Sequence, residues 1–435
     1  MSVNVLLESL SMETRKKMAK ELEFKSKQSF FAQKYGNDTS IIIYAFEILD
    51  EYIKLPFYYA TKVLNLPRPE RKNFRATKLK FNGSLRPLQK DVKKEAFKLL
   101  NKNGSCIISL YTGGGKTATS INIAIHIKLP TLIIVTRLVL MDQWEHSIKK
   151  FCPEAKIQKI KTKKKIDVTA DFFIINAINV PKFTPEQFSH IGTLIADEMH
   201  LLGTEKLSNA FHFIHPRYLL GLSATPERPD GMDKLLHAYF GSKQVFRKMN
   251  REHIAYKIET WKYIDVDIQV KMTNSGTLDW NSILNSQANS ESRNNLILKI
   301  IQHFPDRCFL VLCKRVVHAD HLMRLCLTNG IDATSLVGVQ RSFDTDARVL
   351  VATVQKAGVG FDHPRLNSLI IAADVEQYFI QYLGRVFRTQ HGIPIIFDFV
   401  DNFPTLKRHF STRSKIYREH GGKVKNFYKE YGLNI

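Results

Sequence analysis

Between Ser105 and Ser223 the chain runs through five short apolar segments: SCIISL, TLIIVT, DFFIINA, TLIADE and YLLGLSA. Each is about a strand long, none alternates in polarity, and helix-compatible stretches separate them. Strands of that kind are buried on both faces, which calls for a parallel sheet covered by helices on either side. A second series, CFLVLC, ARVLVAT, SLIIAAD and IPIIFDFV, repeats the pattern between Cys308 and Val400. The polar stretch NSGTLDWNSILNSQANSES lies between the two series and reads as a connector. Two α/β units in tandem are expected, with duplication of whole domains rather than a short repeat. A length of 435 residues accommodates two or three domains, and 44% hydrophobic residues suffice for their cores.

Residues 1–84 read as a mostly helical accessory region, because SIIIYAFEILDEYIKL is apolar enough over Ile41–Leu49 for a buried helix. Pro56, Pro67 and Pro69 then punctuate the chain. Six basic residues over Arg68–Lys80, against Glu70 alone, read as a solvated linker ahead of a nucleic-acid contact. The expected divisions are 1–84, a first α/β domain over 85–245, a connector over 246–295, a second domain over 296–402, and a basic, short helical tail over 403–435. The five cysteines, Cys106, Cys152, Cys308, Cys313 and Cys326, form no C-x-x-C pair and fit reduced thiols in an intracellular protein. The opening MSVNVLLESLSMETRKK lacks the features of a secretory signal, and no run reaches 18 apolar residues, so no membrane partner is expected.

Lys plus Arg number 64 against 41 Asp plus Glu, a net charge of +23. Such an excess implies a polyanionic partner, nucleic acid before a bilayer. The charge is distributed: +6 in residues 1–84, +6 in residues 403–435 and +11 between. The six lysines within Lys156–Lys165 read as a solvated loop ahead of a duplex contact. Phe410, Tyr417, Phe427 and Tyr431, interleaved with basic residues in the tail, suit packing ahead of base stacking.

Two short motifs carry chemistry. In SCIISLYTGGGKTATS a strand leads through Thr112, Gly113, Gly114 and Gly115 to Lys116 and Thr117, where a helix begins. Glycines let backbone N–H groups curl around phosphate oxygens, Lys116 reaches the β- and γ-phosphates, and Thr117 ligates Mg²⁺. The strict pattern asks for glycine at position 110, where this chain has Leu110. Downstream, a strand ends in Asp197-Glu198-Met199-His200. Adjacent acids there suit Asp197 as a Mg²⁺ ligand and Glu198 as the group that orients or deprotonates an attacking water. ATP and Mg²⁺ are the expected cofactors.

TGGGKT, DEMH and Ser223-Ala224-Thr225 resemble motifs I, II and III of superfamily 2 helicases, in their DExH branch. The resemblance covers about residues 85–402. It implies two RecA-like domains that couple ATP hydrolysis to 3′–5′ movement along nucleic acid, with His200, Ser223 and Thr225 in coupling. Arg86-Pro87-Leu88-Gln89 resembles the adenine-recognition segment, with Gln89 on the base edge. Thr136 and Arg137, ahead of Gln143 and Trp144, resemble motif Ia and would contact the phosphodiester backbone; Trp144 itself reads as core. Asn176 sits where relatives often carry a further backbone contact. Lys314 and Arg315 resemble motif IV, and Thr353 with Lys356–Asp362 resembles motif V, in which Gly360 and Asp362 approach the nucleotide. Gln381-Tyr382-Leu383-Gly384-Arg385-Val386-Phe387-Arg388 matches motif VI, implying that Arg385 and Arg388 neutralise charge on the γ-phosphoryl group after domain closure.

The extended stretch Ala224-Thr225-Pro226-Glu227-Arg228-Pro229-Asp230-Gly231 resembles the XPB group and its poxvirus relatives. That implies a minimal motor of a large DNA virus, at work in the host cytoplasm or the virion, with DNA ahead of RNA as its track. Transcription machinery is an implied further partner. Two alternatives remain open at this level: an RNA-directed motor of the same superfamily, and a non-catalytic nucleic-acid-binding scaffold.

Overall fold

The computed structural model describes residues 1–26, 40–162, 165–224, 228, 230–265, 268–273, 276, 278–340, 342–358, 363, 365–375, 379–387 and 392–432. The Cα framework divides into two compact units, one built from Met1–Leu110 and Gly114–Arg247, the other from Tyr111–Gly113 and Lys248–Ile435. No helix among the described residues is long and apolar enough to cross a membrane.

The first 60 or so residues form β1 (Ser2–Leu6), a helix over Met12–Glu21, β2 (Glu23–Lys25), β3 (Ile42–Tyr44), β4 (Glu47–Leu49) and β5 (Tyr52–Pro56). β1, β5 and β4 make an antiparallel sheet, and β2 pairs with β3. The helix expected over Ile41–Leu49 is therefore corrected to two strands, and the region is mixed rather than mostly helical. Three successive isoleucines, Ile41–Ile43, favour extended backbone. Asp50, at φ 39°, then turns the chain so that Leu49 pairs with Tyr52. Apolar density alone does not separate a buried helix from half-buried strands.

This region shares the core of the first unit: Val5, Met18, Leu22, Ile53 and Phe57 join one cluster with Phe211, Leu235 and Tyr239. The basic stretch that follows is neither a free linker nor an open nucleic-acid surface at three of its arginines. Arg68 donates to the Leu100 carbonyl at 3.1 Å, Arg71 to Ile127 at 2.7 Å and Arg75 to Ala170 at 2.7 Å. A guanidinium offers five donors in a fixed fork, which suits it to strap a chain across carbonyls left open at loop and helix ends.

The main sheet of the first unit comprises β6 (Ser105–Leu110), β7 (Thr131–Val135), β8 (Ile157–Lys159), β9 (Phe172–Asn176), β10 (Thr193–Ala196), β11 (Tyr218–Ser223) and β12 (Gln244–Arg247). All seven are parallel, in the order β12-β6-β11-β10-β7-β9-β8. Every residue of β6, β7, β9 and β10 is buried, as continuous apolar runs require. In register, Ser223 lies beside Ser109, Gly221 beside Ala196, and Ala196 beside Ile134. The loops after β6, β7, β10 and β11 consequently leave from one edge, the carboxyl end where open α/β sheets bind ligands.

The second unit adds β13 (His253–Glu259), a small hairpin of β14 (Lys271–Met272) and β15 (Leu278–Asp279), then β16 (Phe309–Cys313), β17 (Ala333–Leu336), β18 (Val349–Thr353), β19 (Ser368–Ile371), β20 (Ile395–Val400) and β21 (Gly422–Asn426). Its sheet is again seven-stranded and parallel, in the order β17-β18-β16-β19-β20-β13-β21. Two sequence expectations are corrected here. Residues 246–295 are more than a connector, since β13 lies within the sheet; HIAYKIE mixes polar and apolar residues because only part of it is enclosed. Residues 403–435 are more than a helical tail, since β21 pairs with β13 after the helix Pro404–Glu419. Tyr417 and Phe427 are buried, which is the packing use of the tail aromatics. Cys106, Cys152, Cys313 and Cys326 are buried thiols, and Cys308 is half-buried.

Candidate active site

The chain leaves buried β6 and reaches the helix Lys116–Ile127 through the glycine run. Gly113 and Gly115 adopt φ of 87° and 86°, a region that side chains avoid. A Cβ on Gly115 would stand 2.0 Å from Gln89 Nε2 and 2.9 Å from an Arg86 guanidinium nitrogen. Arg86 and Gln89 thus lie directly against the glycine run. Gln89, almost fully buried, accepts from the Arg86 N–H at 2.8 Å and points its amide nitrogen toward the Gly115 carbonyl at 3.5 Å. The helix start at Pro87 and the placement of Gln89 are therefore compatible, not rivals. Thr112 and Thr117 are half-buried around the loop. Lys116 Nζ donates to the Leu110 carbonyl at 3.0 Å, so its ammonium stays at the mouth of the strand.

Asp197 and Glu198 follow β10 on the same edge. The Trp144 indole donates to Asp197 Oδ2 at 2.8 Å, and the Glu198 N–H to Asp197 Oδ1 at 3.0 Å. Trp144 is core, as expected, but it also orients the acid. Asp197 keeps an accessible edge, yet enclosure by protein and the adjacent Glu198 charge raise its carboxyl to about 6, against the pull of Trp144 and Lys116. Glu198 holds φ 47° and ψ 50°, uncommon for a residue with a side chain, and its Oε2 is enclosed without a hydrogen-bond partner. His200 is buried, and burial lowers its imidazole so that the neutral form prevails. Its Nδ1 lies 2.9 Å from Ser223 Oγ, a hydroxyl that can donate or accept, and 3.5 Å from Glu198 Oε2. Gly221 on β11 is required by packing: a Cβ there would lie 2.4 Å from Met199 Sδ.

These residues fit a nucleoside triphosphate with Mg²⁺. The glycine cradle and helix N-terminus suit phosphate, Lys116 suits its charge, and the incompletely paired Asp197 and Glu198 suit a hydrated cation. Thr117 and Asp197 would hold the ion, which supplies charge neutralisation at the phosphates.

The remaining positions lie elsewhere in the two units. Arg137 is exposed at the start of the helix Leu138–Phe151, with Thr136 half-buried beside it. Asn176 is nearly buried and spends its Oδ1 on the Ile178 N–H at 3.2 Å, so it caps the turn. In the second unit Lys314 is exposed, whereas Arg315 donates to Asn281 Oδ1 at 2.6 Å. Thr353 is buried at the end of β18. Gln381 and Arg385 lie on the helix Phe379–Val386, Gln381 half-buried and Arg385 buried. Thr225, Gly360, Asp362 and Arg388 lie outside the described residues. Sequence reasoning missed two contributors, the Trp144 donor on Asp197 and an Arg228 guanidinium on the His200 carbonyl; for Arg228 the R-x-D-G spacing was the available signal.

A family model described as Type III restriction enzyme, res subunit, matches residues 82–228. Over 431 residues the chain is 39% identical to a protein of Invertebrate iridescent virus 6 named as helicase 161L, covering 93% of this chain and 96% of that one. The chain belongs to the superfamily 2 helicases of large DNA viruses. The helicase is also 25% identical over 419 residues to an Acanthamoeba polyphaga mimivirus protein named as the ATP-dependent RNA helicase L396, covering 92% of this chain and 80% of that one. Among solved structures, S. cerevisiae Dbp5 bound to RNA and ADP BeF3 aligns with a TM-score of 0.56 at 12% identity, over 81% of the helicase and 96% of Dbp5. That likeness is one of fold, two RecA-like domains. As a family member the protein is an ATP-dependent helicase, an enzyme that acts on nucleic acid.

Proposed function

We propose that the protein is a nucleic-acid-stimulated ATPase that moves 3′–5′ along DNA. One observation carries the reading: Gln89, Lys116, Asp197, Glu198 and His200 gather at the carboxyl edge of one parallel sheet, with the two acids left incompletely paired. Arg86 and Gln89 take the base, and Gly113–Thr117 with Thr112 the phosphates. Glu198 orients and deprotonates the attacking water, while His200 and Ser223 link that carboxylate to β11. Turnover also draws on Gln381, Arg385 and Arg388 of the second unit, with Gly360 and Asp362 toward the nucleotide, as their motifs imply. Thr136, Arg137, Lys314 and Thr353 grip the sugar–phosphate track without reading bases. DNA follows from the likeness to the XPB group, and the strongly basic composition supports a phosphate-based grip. The name of the mimivirus relative supports RNA as the second reading.

The test compares wild type with Glu198→Gln on 3′- and 5′-tailed DNA and RNA duplexes, following ATP hydrolysis and strand displacement. Wild type should hydrolyse ATP faster with DNA and displace strands from 3′-tailed DNA. Glu198→Gln should bind ATP but lose turnover by about 100-fold or more. Greater stimulation by RNA selects the second reading, and normal hydrolysis by Glu198→Gln overturns the site.

A further inference from the structure

The acid pair is followed by a single four-residue 3₁₀ turn, Met199–Leu202. Turns this short leave their last carbonyls without backbone partners. Arg228, from the R-x-D-G stretch beyond β11, donates its guanidinium to the His200 carbonyl. The other edge of the fork grips Asp230, with Nε at 3.0 Å from Oδ1 and Nη2 at 2.6 Å from Oδ2. Asp230 is itself fixed by the Met232 N–H at 3.1 Å. The Arg228 side chain is only 12% exposed, whereas Asp230 keeps a solvent-facing side.

Glu198 begins the same turn, in its left-handed conformation. The segment is thus anchored at Asp197 by Trp144, at the His200 ring by Ser223 and at the His200 carbonyl by Arg228. Removing the third anchor loosens the middle of a turn that opens on a strained acid.

We infer that Arg228 is a positioning residue for ATP hydrolysis: it holds the turn after the acid pair so that Glu198 stays aimed at the attacking water. Asp230 fixes the fork, and the Arg228–Asp230 pair becomes a lever on the hydrolytic carboxylate. The inference rests on the assignment of Glu198 made above. Lysine cannot reproduce the role fully, because an ammonium reaches the carbonyl as a point charge and makes no bidentate grip on Asp230.

The experiment measures kcat and KM for ATP in the full chain carrying Arg228→Ala, Arg228→Lys or Asp230→Asn, beside wild type and Glu198→Gln. Affinity for a fluorescent ATP analogue and the melting temperature are read in parallel. Arg228→Ala should lower kcat about 10- to 100-fold, since small misplacements of a catalytic group cost that much. KM and analogue affinity should stay within about twofold of wild type, the signature of an interaction that matters in the transition state. Arg228→Lys should recover part of the loss, and Asp230→Asn should fall between. If Arg228→Ala does not fold, Asp230→Asn, which keeps the guanidinium, carries the same kcat-against-KM reading. Wild-type kcat in both Arg228→Ala and Asp230→Asn, or a loss confined to KM, overturns the inference. Where Glu198→Gln is inactive in that same experiment, the site assignment survives and only the role of Arg228 fails.

Discussion

In the first unit, Asp197 takes one side-chain donor, the Trp144 indole, and Glu198 keeps an enclosed oxygen without a hydrogen bond. In the second, Asp398 accepts from Nε and Nη2 along one edge of the Arg413 fork, at 2.8 and 2.7 Å, and from the Tyr417 hydroxyl at 2.7 Å. Asp374 takes the Arg413 Nη1 at 2.8 Å and His409 at 2.7 Å. Enclosure works against both carboxylates, but the outcomes differ. Burial would raise Asp374, and the His409 and Arg413 contacts more than reverse it; Asp197 ends raised. An acid that the fold pairs fully is committed to structure. An acid left partly paired, beside a glycine cradle, is reserved for a ligand.

The largest test of this contrast is Arg413→Met, which keeps volume and strands Asp374 and Asp398 without their cation. It should cost about 3–5 kcal/mol in denaturant unfolding, the penalty for half of a buried ion pair. A cost near zero would show that the second-unit cluster is not structural.

Acid acting on a single buried histidine should come next. Burial holds the imidazoles of His212 and His215 in the first unit down to about 4, and that of His318 in the second to about 3. Unfolded histidine titrates near 6.5, so between these values the unfolded chain binds more protons and stability falls as pH falls. The loss should approach about 1.4 kcal/mol per histidine per pH unit below 6.5. Unfolding midpoints at pH 7, 6 and 5 measure it, and a flat profile would contradict the burial of these rings.

The smallest effect on stability is expected at Trp144→Phe, which keeps an aromatic ring but loses the pyrrole half of the buried indole with its donor. It should cost about 1–2 kcal/mol in stability, the lost hydrogen bond plus the small cavity. Turnover should nonetheless fall about 10-fold or more, as for other groups that orient a metal ligand. Unchanged kcat with a large stability loss would invert the contrast between the units.

The sheets and the glycine turn between β6 and its helix were legible because each depends on a local run of residues. TLIIV and FLVLC carry no polar face, and GGGKT carries its own geometry. What escaped depends on pairing across the chain. Ile41–Leu49 is as apolar as a helix, and only the turn at Asp50 and the partners in β5 make it two strands. β13 and β21 read as connector and tail because neither run is continuously apolar; their place is set by each other. The donor on Asp197 comes from a tryptophan that sequence assigns to the core. The hold of Arg228 on His200 joins a side chain to a main-chain carbonyl; R-x-D-G marks the arginine but not the carbonyl it reaches.

The position of β13 also sets an order of events during synthesis. Residues 253–259 leave the ribosome first among the strands of their sheet, yet their neighbours are residues 395–400 and 422–426. Until those are made, the strand has no partner on either side, and its apolar residues are open to the wrong one. The second unit is therefore closed late and by distant pairing, the slow kind of assembly. The helicase should need a chaperone, or slow translation before residue 395, most at this one strand.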